Sequence, residues 1–404
     1  MKTILIVSGG IEAVAAIRRA KELDLFVVVS DRDPDAPGFA IADSHIVADV
    51  YSPEQTAAAA ERFHRKVQKI DGVICVAADA PLTMAAVTDR LGLPGISLEA
   101  ARLASDKLAM KERLFAAGVP IPWFSAVATP QALQRSVVER GTNLVIKPVD
   151  SRGSRGVQRL THVNDLDQAF YLAQSHSPTE RVMIEEYLEG PQVSTESVII
   201  GGHCYTPGFS DRNYEFLDRY APFFIENGGD LPSILPPKIQ SDICDVLTRA
   251  AAALDITDGT VKGDIVVHNN RAHVIELAAR LSGGFFCTHE IPLSTGVDFV
   301  GTAIRVALRE PVSSSELEPK YARPVSQRYA FPNPGRVTKI DGTEAAKTVS
   351  GVAELVVTAK LGDVIPPAGD KRPSAAMVVA TGASRKAAQQ AARDAVSRLR
   401  IETV

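Results

Sequence analysis

The sequence predicts an α/β chain, with a parallel sheet covered by helices first, a mixed α+β unit in the middle and a smaller α+β unit at the end. Three observations carry that expectation. Continuous β-branched runs alternate with a helically spaced segment over residues 3–79. Strands and helices then mix from residue 124 to about 310. Finally, a polar stretch at 311–319 precedes short β-like runs and an Ala-rich helix at 384–399. A chain of 404 residues exceeds one ordinary domain, and the expected division is 1–104, 105–310 and 311–404.

Residues 3–7, TILIV, form an unbroken apolar run, the pattern of a strand buried on both faces. A Ser8-Gly9-Gly10 turn follows, and residues 11–22 then place Ile11, Val14, Ala15 and Arg18 at helical spacing. The next strands are LFVVVS at 25–30, closed by Asp31, and DGVICVAAD at 71–79, closed by Asp79. The glycines after the first strand read GGIEAV from Gly9, without the GxGxxG spacing of a dinucleotide site. A scaffold or substrate-side unit is therefore expected there. Residues 105–118 read as a helix capped by Ser105, and GVPIPW at 118–123 ends it, with Trp123 packing at the junction. Residues 239–256 place Ile239, Ile243, Val246, Leu247, Ala250 and Leu254 on one helical face.

Bulk properties exclude several classes. A net charge of −4 argues against a nucleic-acid partner, which needs a basic face. Cys75, Cys204, Cys244 and Cys287 lie far apart with no CxxC pair, so neither a zinc site nor a disulfide framework is expected, and a reducing cytoplasm fits. The opening MKTILIVSGG lacks the features of a signal peptide, and no apolar run reaches the length of about 18 residues that a membrane span needs.

Three stretches carry chemistry. In LVIKPVDSRGSRGV, residues 144–157, a strand ends on Lys147 and releases a loop in which Gly153 and Gly156 permit backbone N–H groups to turn inward. Arg152 and Arg155 add positive charge, so the loop suits a polyphosphate, although it is not a P-loop. In RVMIEEYLEGPQVSTESV, residues 181–198, a strand meets Glu185-Glu186 and leaves through Gly190-Pro191, offering backbone edges to a flat ring. In VKGDIVVHNNRAHVIELAARLSGG, residues 261–284, two strands flank a polar turn at Asn269-Asn270. A three- or five-residue loop centred on Asn270 would set Asp264 directly opposite Glu276 on one face, whereas a two-residue turn would split them. Paired carboxylates in apolar strands call for a cation, and all-oxygen donors suit Mg²⁺, with Mn²⁺ as a substitute. Glu276, Ala278 and Arg280 alternate onto one side, which aims Arg280 as a fixed fork for a carboxylate or phosphate ahead of the Ser282-Gly283-Gly284 turn.

In order and spacing these pieces resemble the ATP-grasp superfamily, through SDK at 105–107, VIKPVDSRGSRGV, IEEYLEGP, KGDIVV and VIELAARLSGG. The tail resembles the lid of biotin-carboxylase-like members, and APFFIENGGDLPSILPP at 221–237 is similar to the substrate-side segment of L-amino-acid ligases. The resemblance implies a Rossmann-like first domain, a central ATP-grasp domain and a small α+β lid. It implies an ATP-dependent ligase that joins a small carboxylate to an amine through an acyl phosphate, in a protein that commonly dimerises. Lys107 and Lys147 would hold phosphates under a cover containing Ser151, Gly153, Ser154 and Gly156. Glu185, Glu186 and Leu188 would hold adenine, and Gln192 would face the ribose. Asp264 and Glu276 would bind the metal, and Lys147 and Arg280 would act on the transferred group. Glu226, Arg280, Gly283 and Gly284 would meet the substrate. Four positions depart from the family's usual pattern: Gln192 for an acid, Asp264 for glutamate, Ala278 for asparagine and Gly229 for histidine.

Other readings remain open on sequence alone: an ATP-grasp enzyme of purine assembly or carboxylation, a dinucleotide-dependent oxidoreductase, or a nucleotide sensor without turnover. His268 and His273 flank a turn and read as solvated. His289 and Cys287 could border the pocket; a core or structural role is preferred for His289, and no base is identifiable that would make Cys287 a nucleophile.

Overall fold

The computed structural model describes residues 1–367, 369 and 374–404. Four parallel strands open the chain, in the order Ser44–Val47, Phe26–Asp31, Thr3–Val7 and Gly72–Cys75. Thr3–Val7 is buried along its whole length, as an apolar run covered on both faces must be. Asp31 accepts the Gly9 N–H at 2.8 Å, so this carboxylate ties down the first turn. The covering helix, Val14–Glu22, turns a different face inward from the one expected: Ala13, Ala16, Ile17 and Ala20 are buried, whereas Ile11 and Arg18 face solvent. Small alanines let this helix lie close on the sheet, which outweighs the pull of a single isoleucine.

An eight-stranded sheet forms the body. Its order is Arg271–Ala278, Gly259–His268, Gln192–Ile200, His203–Arg212, Gly229–Leu231, Val325–Ala330, Ala376–Thr381 and Val352–Val357. The last three strands come from beyond residue 310, so the tail extends this sheet. The residues at 311–319 are ordered around Ser314–Leu317, with a capping box at Ser313 and Leu317 in the core, and are not merely a polar linker. Short strands at Gly335–Asp341, Val364–Ile365 and Arg400–Thr403 add a small separate sheet. A second small sheet, Phe124–Val127, Val182–Glu186, Leu144–Pro148 and Gln158–Arg159, faces the large one across the cleft. Trp123 packs against this sheet's own core under Arg140, whose guanidinium lies 3.6 Å from the ring centroid.

One face of the first sheet packs on a core of its own, with Leu5, Val7, Val28, Phe63 and Val87, and the other face shares its core with the large sheet. Ile4, Ile6 and Ile17 share one apolar cluster with Val198, Leu231, Phe299 and Met377. Each such side chain adds about 1.5–3 kcal/mol when buried, so the first sheet and the large sheet are joined by packing as well as by chain. Main-chain pairing of Val76 with Leu281 adds a direct bridge.

Two local expectations are corrected. The helix Lys107–Ala116 is capped by Asp106, which accepts the Ala109 N–H at 2.9 Å; Ser105 still belongs to the preceding helix and bonds back to Ala101 O. The 261–284 hairpin turns on two residues, Asn269 and Asn270, with φ of +50° and +59°, the backbone of a tight primed turn. That turn alone would put the acids on opposite faces. A bulge between Asp264 and Ile265 in the register restores them: Ile265 pairs with Val274, Asp264 pairs with Glu276, and Ile275 is the extra residue.

Candidate active site

The two facing sheets and the first unit enclose a cleft of about 660 Å³. Of the residues singled out from the sequence, Lys107, Lys147, Ser151, Gly153, Ser154, Glu185, Glu186, Leu188, Gln192, Glu226, Asp264, Glu276, Arg280, Gly283 and Gly284 border it. Gly156 does not; it lies under His176 and Ala173 with φ of +71°, where it lets the loop bend. His289 and Cys287 do not border the cleft either: Cys287 is fully buried and His289 lies 3.6 Å from Glu354.

The acid pair is already matched by protein cations. Glu276 Oε1 lies 3.1 Å from Lys107 Nζ, which also donates to Ser151 O at 2.6 Å. Asp264 accepts from Lys262 and lies 2.8 Å from Arg212 Nη1. Neither Arg212 nor Lys262 was found from the sequence, although each is a charge set in a half-apolar strand, the signal that marked Asp264. Burial works against the Arg212 charge, but Asp264 and Glu226 prevail and hold its pKa well above the ordinary value. Burial also dominates at Lys262 and lowers it despite Asp264. Among the described residues no group of three or more His, Cys, Asp or Glu gathers as a metal cage. Two opposed carboxylates with room for water and phosphate oxygens fit Mg²⁺, which rarely takes an all-protein shell.

Behind the end of the cleft that Lys147 borders lies a buried triad. Glu185 Oε1 accepts from Lys147 Nζ at 2.6 Å, and Glu185 Oε2 lies 2.8 Å from Lys111 Nζ, off the hydrogen-bond axis, so that contact acts by charge. Lys107 and Lys111 sit one turn apart on one helix and reach acids on the two facing sheets. Burial would raise Glu185, but two ammonium groups outweigh it and keep the carboxyl ionised. Lys111 is the cation least held: burial lowers it to about 8, only partly opposed by Glu185. Glu185 therefore positions Lys147 as well as bordering the cleft, a role the sequence reading did not assign.

At the other end, the first unit contributes. Arg280 Nε lies 3.6 Å from Asp79, while Arg280 Nη1 has no hydrogen-bond partner among the described residues. Glu12 accepts the Gly284 N–H, and Gln327 donates to Gly284 O. Gly284 thus spends both backbone groups on the protein while bordering the cleft. Glu226 pairs with Arg212 at 2.5 Å. A Cβ at Gly229 would fall 2.2 Å from Ser210 Oγ, so the histidine often found there would require Ser210 to turn away. Arg152 of the loop stacks on Tyr51, 3.5 Å from the ring centroid.

This geometry meets independent sequence likenesses. The ATP-grasp domain model matches residues 104–284, and that of L-amino acid ligase C-terminal domain 2 matches residues 328–404. Residues 104–284 thus carry an ATP-grasp domain, and the likenesses are to ATP-dependent carbon–nitrogen ligases. Individual likenesses are more particular. Uncharacterized protein y4rH of Sinorhizobium fredii is 26% identical over 395 residues, 96% of this chain and 80% of that protein. A D-alanine–D-alanine ligase of Gloeobacter violaceus is 30% identical over 202 residues, 47% of this chain and 64% of that protein. The solved L-amino acid ligase of Bacillus licheniformis superposes with a TM-score of 0.83 over 100% of this chain and 99% of that one, at 21% identity.

Proposed function

We propose that the protein couples an amino-acid carboxylate to an amine, using Mg²⁺ and ATP and passing through an acyl phosphate. The observation that carries the reading is Arg280, a largely buried side chain bordering the cleft whose Nη1 has no hydrogen-bond partner among the described residues, four residues beyond an opposed carboxylate pair. Unfilled buried donors are rare in folded proteins and mark a place for a ligand anion.

In this reading Lys107, Lys147 and the loop at 151–156 grip the ATP phosphates. Glu185, Glu186 and Leu188 border the adenine and Gln192 the ribose. Asp264 and Glu276 would hold Mg²⁺, or Mn²⁺ in its place, which offsets charge on the phosphates. A substrate carboxylate oxygen, held by Arg280 and Gly283, attacks the γ-phosphorus, and the bond to ADP breaks. The amine nitrogen then attacks the acyl carbon, phosphate leaves with its electron pair, and the ammonium proton is lost. Glu12, Asp79 and Glu226 at this end suit the α-ammonium of an amino acid. Loop closure keeps water from the acyl phosphate. A cytoplasmic setting fits the four free cysteines, and among the described residues no helix is long and apolar enough to cross a membrane. We also propose the 1–104, 105–310 and 311–404 division and a homodimer, the commonest soluble assembly.

Purified protein given Mg-ATP and a panel of amino acids, hydroxy acids and purine precursors should release ADP only with an amino-acid pair, whose amide product mass spectrometry would identify. ADP release with a purine precursor alone would replace the acceptor. Silence across the panel would sink the ligase reading.

Two variants test the nucleotide end. Lys147→Ala should raise the Mg-ATP Kd by about tenfold or more, since a charge-assisted contact is worth about 1.5–3 kcal/mol. An unchanged Kd by calorimetry would remove this lysine from the site. The Lys111 ammonium should be lost as pH rises through about 8, leaving Glu185 to draw Lys147 away from phosphate, so affinity should fall above pH 8. Stability should move the other way. The folded pKa lies below the unfolded 10.5, so between about pH 8 and 10.5 the unfolded chain holds the extra proton and this group's contribution rises with pH. Lys111→Met should flatten both trends; a wild-type Kd that is level from pH 7 to 10 would contradict the triad.

A further inference from the structure

The turn carrying Arg280 and Gly283 is gripped from outside the cleft. Glu196, on the strand Gln192–Ile200, is fully buried and does not border the cleft. Its Oε1 accepts the Ser282 N–H at 3.0 Å, while Cys287 Sγ donates to Ser282 O at 3.0 Å. On the preceding residue, Leu281 N–H donates to Cys75 O and Leu281 O accepts from Ala77 N–H. The backbone is therefore fixed on both sides of Ser282, between Arg280 and Gly283.

Glu196 is an expensive choice for a merely structural acceptor. Its strand neighbours are Gly208 and Lys262, and the charged groups that act on it are Lys262 and Arg280. Oε2 has no hydrogen-bond partner among the described residues. Burial pushes the carboxyl up to about 7, opposed by its bonds to Ser282 and by Arg280. A buried carboxyl with one oxygen unsatisfied costs stability that a neutral side chain of similar size would not. It makes no hydrogen bond to Lys107, Lys147 or Glu185, so its effect is separable from nucleotide binding.

We infer that Glu196 is a positioning residue for the acyl subsite: by holding the Ser282 N–H it sets how Arg280 and Gly283 meet the substrate carboxylate. The catalytic half of this statement rests on the ligase reading; the clamp itself does not. The test compares wild type with Glu196→Met, Glu196→Asp and Glu196→Gln. Hydrogen exchange of peptides spanning 279–287, which needs no turnover, should quicken about tenfold or more in the Met variant. The Mg-ATP Kd should stay within about twofold. Where turnover is measurable, KM for the carboxylate should rise about tenfold or more. Should Met prevent folding, Asp carries the same test, because it keeps the charge but draws the acceptor back by one methylene. Gln keeps an acceptor in reach and should restore near wild-type exchange and KM. Unchanged exchange in both Met and Asp overturns the clamp. A Gln variant as impaired as Met, or an equal loss of Mg-ATP affinity, overturns the specific role of the Ser282 bond. If wild type shows no ADP release, the ligase reading fails while the exchange result still decides the clamp.

Discussion

Glu276→Gln is expected to lower ligase turnover by about a thousandfold while leaving the fold intact, because in the proposed reading it replaces with a neutral amide one of the two opposed carboxylates that would hold the phosphates' Mg²⁺. The side chain is 27% exposed and paired with Lys107 at 3.1 Å. Lys107 is buried but keeps its bond to Ser151 O, so losing the Glu276 charge should cost about 1–3 kcal/mol, a fall of several degrees in melting temperature in a protein that still folds. The amide still offers an oxygen, so residual activity should demand far more Mg²⁺. Thermal unfolding together with an ADP-release assay over a Mg²⁺ titration checks this. A folded variant with wild-type turnover would remove Glu276 from the chemistry.

Arg280→Lys should lower kcat/KM for the carboxylate by about a hundredfold, with the Mg-ATP Kd unchanged. Lysine keeps the charge but cannot present a planar fork; losing one charge-assisted contact of about 1.5–3 kcal/mol gives that order. The loss should be larger with alanine, which also leaves Asp79 without its cation at 3.6 Å. Steady-state kinetics with calorimetry separates the two terms. Equal losses in carboxylate and nucleotide binding would mean that Arg280 supports the cleft as a whole.

Much of the site was legible because charges interrupt apolar strands. Lys147, Asp264, Glu276 and Arg280 all declared themselves in that way, and all four border one cleft. The route to the acid pair was only half visible. Counting residues about Asn270 gave the right opposition from the wrong turn, since the two-residue turn is compensated by the bulge at Ile275. A bulge leaves no periodicity signal, because it shifts register without changing composition. Lys111 was hidden for another reason. It reads as an ordinary surface charge in a helix, and its 1% exposure arises only when Glu185 arrives from another sheet. Glu12 and Glu196 likewise gain meaning through contacts with residues 282–284, far away in sequence. The inward face of Val14–Glu22 was misread because alanines carry a weak hydrophobic signal yet pack closest. The tail's strands were found, but not their membership of the large sheet, which depends on long-range pairing of Val325–Ala330 with Gly229–Leu231.

The central claim is that ATP's terminal phosphoryl group passes to a carboxylate oxygen beside Arg280. The most direct measurement follows that oxygen. Amino acids labelled with ¹⁸O in the carboxylate, supplied in pairs with Mg-ATP, should yield ADP and inorganic phosphate carrying one ¹⁸O for each amide formed. Amide formation with unlabelled phosphate, or with AMP and pyrophosphate instead of ADP, would contradict it.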